Sequence, residues 1–200
     1  MKKKLLFAAY SLDVGGIETA LVTLINKLVK SYDITLAIEK KQGIFLNEVS
    51  ESVKIIEYTP SNCKIKFMAK IKNAIKRLRF TMKYKNKFDC AISYATYSLP
   101  SSFMARNASK NSILWVHNDY MSICNNNEEE YIKFFKSINA DAFKKIVFVS
   151  NNIRSSFENI LGKEYKNKRV TIYNLIDFES IVRKSQEQVN DIEISDETTF

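Results

Sequence analysis

From Lys4 the chain runs apolar without interruption through Leu5, Leu6, Phe7, Ala8, Ala9 and Tyr10. A strand covered on both faces reads this way, whereas a half-exposed strand alternates. After a short polar stretch the period changes. Ile17, Ala20, Leu21, Leu24, Ile25 and Leu28 recur at intervals of three and four, the mark of an amphipathic helix over 17–30. The same alternation continues to the end. It predicts strands over 3–10, 33–39, 53–58, 88–94, 112–117, 145–150 and 169–173, and helices over 17–30, 64–86, 99–107, 128–142 and 151–161. Strands alternating with helices in this manner form βαβ units, hence an α/β fold: a Rossmann-like parallel sheet with helices on both faces. In such sheets ligands sit at the carboxyl ends of the strands. Gly15-Gly16, Tyr94 to Ser98, His117 to Asp119 and Ser150 all fall there.

Two of the chain's four glycines are adjacent, at Gly15 and Gly16, where the first strand hands over to a helix opening with Ile17 and Glu18. A glycine pair serves such a turn in two ways. Either the backbone needs a positive φ, or something approaches the main chain where a Cβ would stand. The free N–H groups and positive dipole end of a helix make the second case a seat for phosphate, while a tight turn without ligand is the alternative. The segment lacks the later glycines of G-x-G-x-x-G, and no G-x-x-x-x-G-K-[ST] loop occurs, which turns the reading away from dinucleotide and P-loop sites.

Charge is concentrated. Between Lys64 and Lys87 stand ten cations, among them Lys70, Lys72, Lys76, Arg77 and Arg79, and no carboxylate. The net charge is +9, so the rest of the chain is close to neutral. Ile65, Met68, Ile71, Ile75, Leu78 and Met82 thread the segment at helical spacing, an apolar stripe flanked by cations. Two structures produce that pattern: a helix lying on an anionic membrane surface, and a helix docked on its own sheet with its lysines solvated. Nucleic-acid binding is set aside, because the segment has no helix-turn-helix, zinc-finger, KH or RNP signature.

Composition bounds the rest. With 200 residues and 46% hydrophobic positions the chain has room for one sizeable core. Cys63, Cys90 and Cys124 are odd in number and widely spaced, which argues against a disulfide framework and a zinc site and for a reducing compartment. Lys2 to Lys4 precede apolar residues, but Asp13 ends that run and no signal-peptide cleavage pattern follows. A cytoplasmic protein is expected.

Three segments in order resemble the N-terminal domain of the family 4 glycosyltransferases of GT-B fold. The first is the strand, loop and helix around Gly15-Gly16-Ile17-Glu18; the second is Ile113 to Asp119, a strand ending in His117; the third runs from Ile146 to Gly162 and on through Val170 to Ile181. The resemblance implies transfer of a sugar from a nucleotide-sugar donor, UDP- or GDP-linked, with retention of configuration, no other cofactor and no obligatory metal. Residues Gly15, Gly16, Ile17 and Glu18 match the donor-phosphate loop. His117 matches a residue beside the transferred sugar, with Asn118 and Asp119 as polar contacts. A lone histidine at a strand end is otherwise a structural hydrogen-bonding group, and Ser150 and Asn174 read as helix cap and turn former.

A GT-B enzyme has two such domains. Residues 1–177 are therefore expected to be the acceptor-side domain, and the polar, acidic 178–200 an interdomain linker leading to a C-terminal donor-binding domain. On that reading the 200 residues alone transfer no sugar. The basic helix would place the enzyme peripherally on the inner membrane face, with a glycan or lipid-linked acceptor in cell-envelope, capsule or other polysaccharide synthesis. A non-catalytic binding module that keeps the fold is the alternative.

Overall fold

The computed structural model describes residues 1–187. Seven strands, β1 (Lys4–Ala9), β2 (Asp33–Ile38), β3 (Lys54–Glu57), β4 (Cys90–Ser93), β5 (Ser112–Val116), β6 (Lys145–Phe148) and β7 (Arg169–Thr171), form one all-parallel sheet in the order β3-β2-β1-β4-β5-β6-β7. The order reverses between β1 and β4, and successive connections leave by opposite faces on either side of that point. The uninterrupted apolar run of β1 follows from this. Leu6 and Ala8 enter one core with Leu114, Val116, Ile146 and Phe148, while Phe7 and Ala9 enter the other with Ile34, Leu36 and Ile38.

Helix α1 (Gly16–Leu28) covers the second core through Leu21, Val22 and Ile25. The first core is covered by α3 (Leu99–Ala108), the short α4 (Tyr120–Ile123), α5 (Glu128–Ser137) and α6 (Asn151–Tyr165). Phe135 and Phe157 are fully buried there, and truncating such a side chain to Ala typically costs about 3–5 kcal/mol. The helix expected over 128–142 stops at Ser137, because Asn139 takes a left-handed conformation (φ 54) that asparagine tolerates and a helix does not. Residues 120–123 form a single short helical turn, and α7 (Phe178–Ser185), which sets Phe178, Ile181 and Val182 on one face, lies where a linker was expected. The remainder of the expected linker, from residue 188 onward, lies outside the described residues.

Helix α2 (Lys66–Tyr84) separates the two expectations for the basic segment. Only Phe80 is buried, with ring centroids 5.5 Å from Tyr58, 5.7 Å from Phe103 and 4.9 Å from Tyr84. The inward side of the preceding turns is polar. The Asn73 side chain accepts from the Ser61 N–H at 2.7 Å, and Lys76 Nζ donates to the Thr59 carbonyl at 2.6 Å. At 3.6 residues per turn the stripe from Met68 to Met82 lies on the opposite side of the helix from Asn73, Lys76 and Phe80, and Ile65 precedes the helix as its N-cap. The stripe's five side chains are between 41% and 77% exposed. The stripe is not docked on the sheet.

Positive φ is required at Gly43 (φ 114), not at the glycine pair. Gly15 has φ 179, extended backbone open to any residue, so the expected need for φ > 0 at the pair is not met. A Cβ at Gly43 would strike the Leu12 carbonyl group and the Asp13 nitrogen; a Cβ at Gly15 would strike only the mobile carboxylate of Glu18. Gly43→Ala should therefore lower folding stability by about 2–4 kcal/mol in chemical denaturation, combining a glycine-only backbone region with a backbone clash, while Gly15→Ala should cost about 1 kcal/mol or less.

Candidate functional site

The β1–α1 loop is held from below. Leu12 N–H donates to the Gln42 carbonyl at 3.0 Å and Phe45 N–H to the Leu12 carbonyl at 3.2 Å. Above them Asp13 accepts from Ser11 Oγ at 2.6 Å and Gln42 Nε2 at 3.2 Å, and these bonds keep its exposed carboxyl below the usual range. The loop then delivers Gly15 to the N-cap of α1. No side chain caps the helix. A Cβ built at Gly16 meets nothing within 4 Å, so this backbone is open to approach. Gly16 lines one end of a cleft of about 660 Å³ that runs along α1 past Thr19 and Thr23 to Asn174 and α7.

At the carboxyl end of β5, His117 is 8% exposed. Its ring lies 4.3 Å from that of Tyr94 and stacks at 6.4 Å on Trp115. Nδ1 and Nε2 of His117 and Nε1 of Trp115 are all buried without a hydrogen-bond partner among the described residues. Burial moves the imidazole from its ordinary value near 6.5 down to about 4, so it is neutral at pH 7. A neutral imidazole with both nitrogens free offers one donor and one acceptor. Leaving such atoms unpaired costs about 1–3 kcal/mol each. Tyr94 and Trp115 also wall an adjacent cavity of about 430 Å³ against the 172–176 segment.

The other expected residues divide. Ile17 and Glu18 open α1, and the Glu18 carboxylate folds back over Gly15. Asp119 is engaged in structure: Oδ1 accepts from the Met121 N–H at 3.0 Å as the cap of α4, and Oδ2 accepts from Ser156 Oγ at 2.9 Å. Asn118 is exposed beside it. Ser150 caps α6 by accepting from the Ile153 N–H at 3.3 Å, and Asn174 lines both clefts. Lys70, Lys72, Lys76, Arg77 and Arg79 line neither of these clefts. They stand on α2, which packs beside α3 on the face of the first core.

Glu39 was not anticipated. It directly follows β2, is 4% exposed, and its Oε1 accepts hydrogen bonds from the hydroxyls of Ser98 and, at 3.2 Å, Ser101 at the start of α3. Burial raises its carboxyl above the usual value. Near it, Tyr10 and Tyr97 meet edge to face at 6.1 Å across the ends of β1 and β4. Burial pushes the Tyr97 phenol up to about 12. A glutamate closing an apolar strand and serines three apart before a helix were the available signals.

No protein-family model matches the sequence, and no curated protein matches it. Solved structures do match in fold. Anabaena Alr3699/HepE in complex with UDP-glucose superposes with a TM-score of 0.63 at 14% identity over 92% of this chain and 49% of that one. The same protein in complex with UDP gives 0.58 at 16% identity, and TcCGT1 in complex with UDP gives 0.51 at 8% identity over 94% of this chain. The chain has the fold of one half of a GT-B glycosyltransferase. It spans about half the length of the solved structures it matches.

The state of His117 has a measurable consequence. Because its folded value lies below the unfolded one, the unfolded chain binds the extra proton, and folding stability falls as pH drops from about 6.5 towards about 4, with a slope of up to about 1.4 kcal/mol per pH unit. In His117→Gln that increment should vanish. Urea melts of both proteins between pH 7 and pH 4 compare the slopes, and identical slopes would show an imidazole that charges freely in the folded state.

Proposed function

We propose that the chain is the N-terminal, acceptor-side half of a nucleotide-sugar glycosyltransferase. The observation that carries this reading is the fold shared over 92% of the chain with structures in complex with UDP and UDP-glucose. The open backbone at Gly16 and the unpartnered nitrogens of His117, both at carboxyl ends of strands, supply groups suited to such a donor. N–H groups of Gly16 and Ile17, at the positive end of α1, face a diphosphate, and neutral His117 pairs with hydroxyls of the transferred sugar. A second domain of comparable size holds the nucleotide base and completes the cleft, so the 200 residues alone do not turn over.

In the retaining reaction the bond from the sugar's anomeric carbon to the diphosphate breaks. The acceptor oxygen bonds to that carbon on the same face, and its proton passes to the departing diphosphate. The protein contributes position and charge stabilisation. With UDP in the neighbours, a UDP-linked donor is favoured over a GDP-linked one. The exposed stripe of α2, flanked by cations, favours docking on an anionic membrane and with it a lipid-linked or cell-envelope glycan acceptor. No described helix is long and apolar enough to cross a membrane.

Gly16→Val tests the donor loop. Its side chain enters open space, so the thermal midpoint should stay within a few degrees of wild type. Transfer from UDP-sugar by the full-length gene product should fall by about 100-fold or more, since one lost oxyanion-type contact costs roughly that much. Near-wild-type turnover would reduce the glycine pair to a turn.

A further inference from the structure

The basic flank of α2 holds a groove of its own. Between the helix and the loop that follows β3, Ser61, Asn62, Lys72, Lys76, Arg79 and Ile75 line a cleft of about 490 Å³ that contains no carboxylate. Lys76 and Arg79 continue into a neighbouring groove of about 380 Å³ with Lys83; there Glu57 is the acidic residue, and its Oε1 accepts from Thr59 Oγ1 at 2.8 Å. Lys72, Lys76, Arg79 and Lys83 lie on one side of the helix, between the buried Phe80 side and the exposed stripe. None forms an ion pair among the described residues. Like charges gathered without counter-charge raise the local potential and repel one another, an arrangement that an anion relieves.

The groove is braced. Asn73 holds the Ser61 N–H, and Lys76 holds the Thr59 carbonyl while keeping further N–H donors to spare. Ile75 belongs both to this groove and to the exposed stripe of Ile71, Leu78 and Met82. One ligand chemistry fits the two halves together. Phosphate oxygens take the cations, and hydrocarbon attached to that phosphate covers the stripe.

We infer that this groove is a headgroup site for a lipid bearing a terminal phosphate, seated by Lys72, Lys76 and Arg79. The inference rests on the membrane reading of α2 and narrows it from general attraction to recognition of one headgroup. A single-stranded nucleic acid would also bring phosphates, and Tyr58, Phe80 and Tyr84 line the neighbouring groove, but it would leave the aliphatic stripe of Ile71, Ile75, Leu78 and Met82 uncovered.

Co-sedimentation of the whole chain with phosphatidylcholine vesicles tests it, doped either with phosphatidic acid or with phosphatidylglycerol, at matched surface potential and physiological salt. Phosphatidic acid should bind about fivefold more tightly or better, as expected for one additional charge contact in a fixed seat. Lys72→Gln with Arg79→Gln should erase that preference, whereas Lys70→Gln with Arg77→Gln on the other flank should weaken both lipids alike. Inorganic phosphate and a single-stranded oligonucleotide, each at millimolar concentration, should compete poorly. Equal binding to the two lipids, or equal effects of the two double variants, overturns the headgroup site while leaving membrane attachment standing. Binding to neither vesicle overturns attachment as well, and strong competition by phosphate or oligonucleotide reassigns the groove to a soluble ligand.

Discussion

Everything placed at the candidate site depends on β1 pairing in parallel with β2 on one side and β4 on the other. Because the strand order reverses there, the chain leaving β1 and the chain leaving β4 turn to opposite faces, and their first turns separate at the carboxyl edge. Apolar side chains from both faces of β1 lock this register, since a slip by one residue would exchange the two cores. From it follow the open turn at Gly16, the Tyr10–Tyr97 contact, and the position of His117 one strand further along. The loop bonds through Leu12, Gln42 and Phe45 hold the turn in place, and they fit only because Gly43 has no side chain.

The molecule uses its polar groups in two contrasting ways. Where architecture needs them they are paired: Asp119 with Met121 and Ser156, Glu39 with Ser98 and Ser101, Ser150 with Ile153. The nitrogens of His117 are among the buried groups without a partner, and Lys72, Lys76, Arg79 and Lys83 on α2 form no ion pair among the described residues. Unpartnered buried nitrogens and uncompensated surface cations both raise the free energy of the chain by itself, and both are relieved by a ligand rather than by folding. The two places are carried by different elements, one at the carboxyl end of β5 and one on α2 beside α3.

Much of the fold was legible because apolar period carries it: each of the seven strands lies within a predicted one, and the uninterrupted run of β1 foretold burial on both faces. What period does not encode was missed. The left-handed Asn139 ends a helix whose apolar spacing continues through Ile138, and α7 is short and buries no residue, so its Phe178, Ile181 and Val182 spacing was passed over inside a polar stretch. At the site, His117 and the glycine pair were legible as strand-end positions. The glycine that the backbone requires was not, because a Cβ at Gly43 would strike Leu12, thirty-one positions earlier, and nothing local marks that contact. The apolar stripe of the basic segment was visible in sequence, but whether it faced the sheet or solvent was decided by Phe80 and the polar side of α2. A helical period alone fixes which residues share a face, not which way that face points.

The central claim is that the carboxyl edge at β1 and β5 receives a nucleotide sugar. Titrating the isotopically labelled chain with UDP-glucose at millimolar concentration, and following backbone amides together with the His117 ring signals, tests it most directly. The shifts should concentrate at Gly15 to Glu18 and at His117, with α2 unaffected. Shifts confined to α2 and the loop after β3, or none at the glycine turn and His117 as the nucleotide sugar is raised, would contradict it.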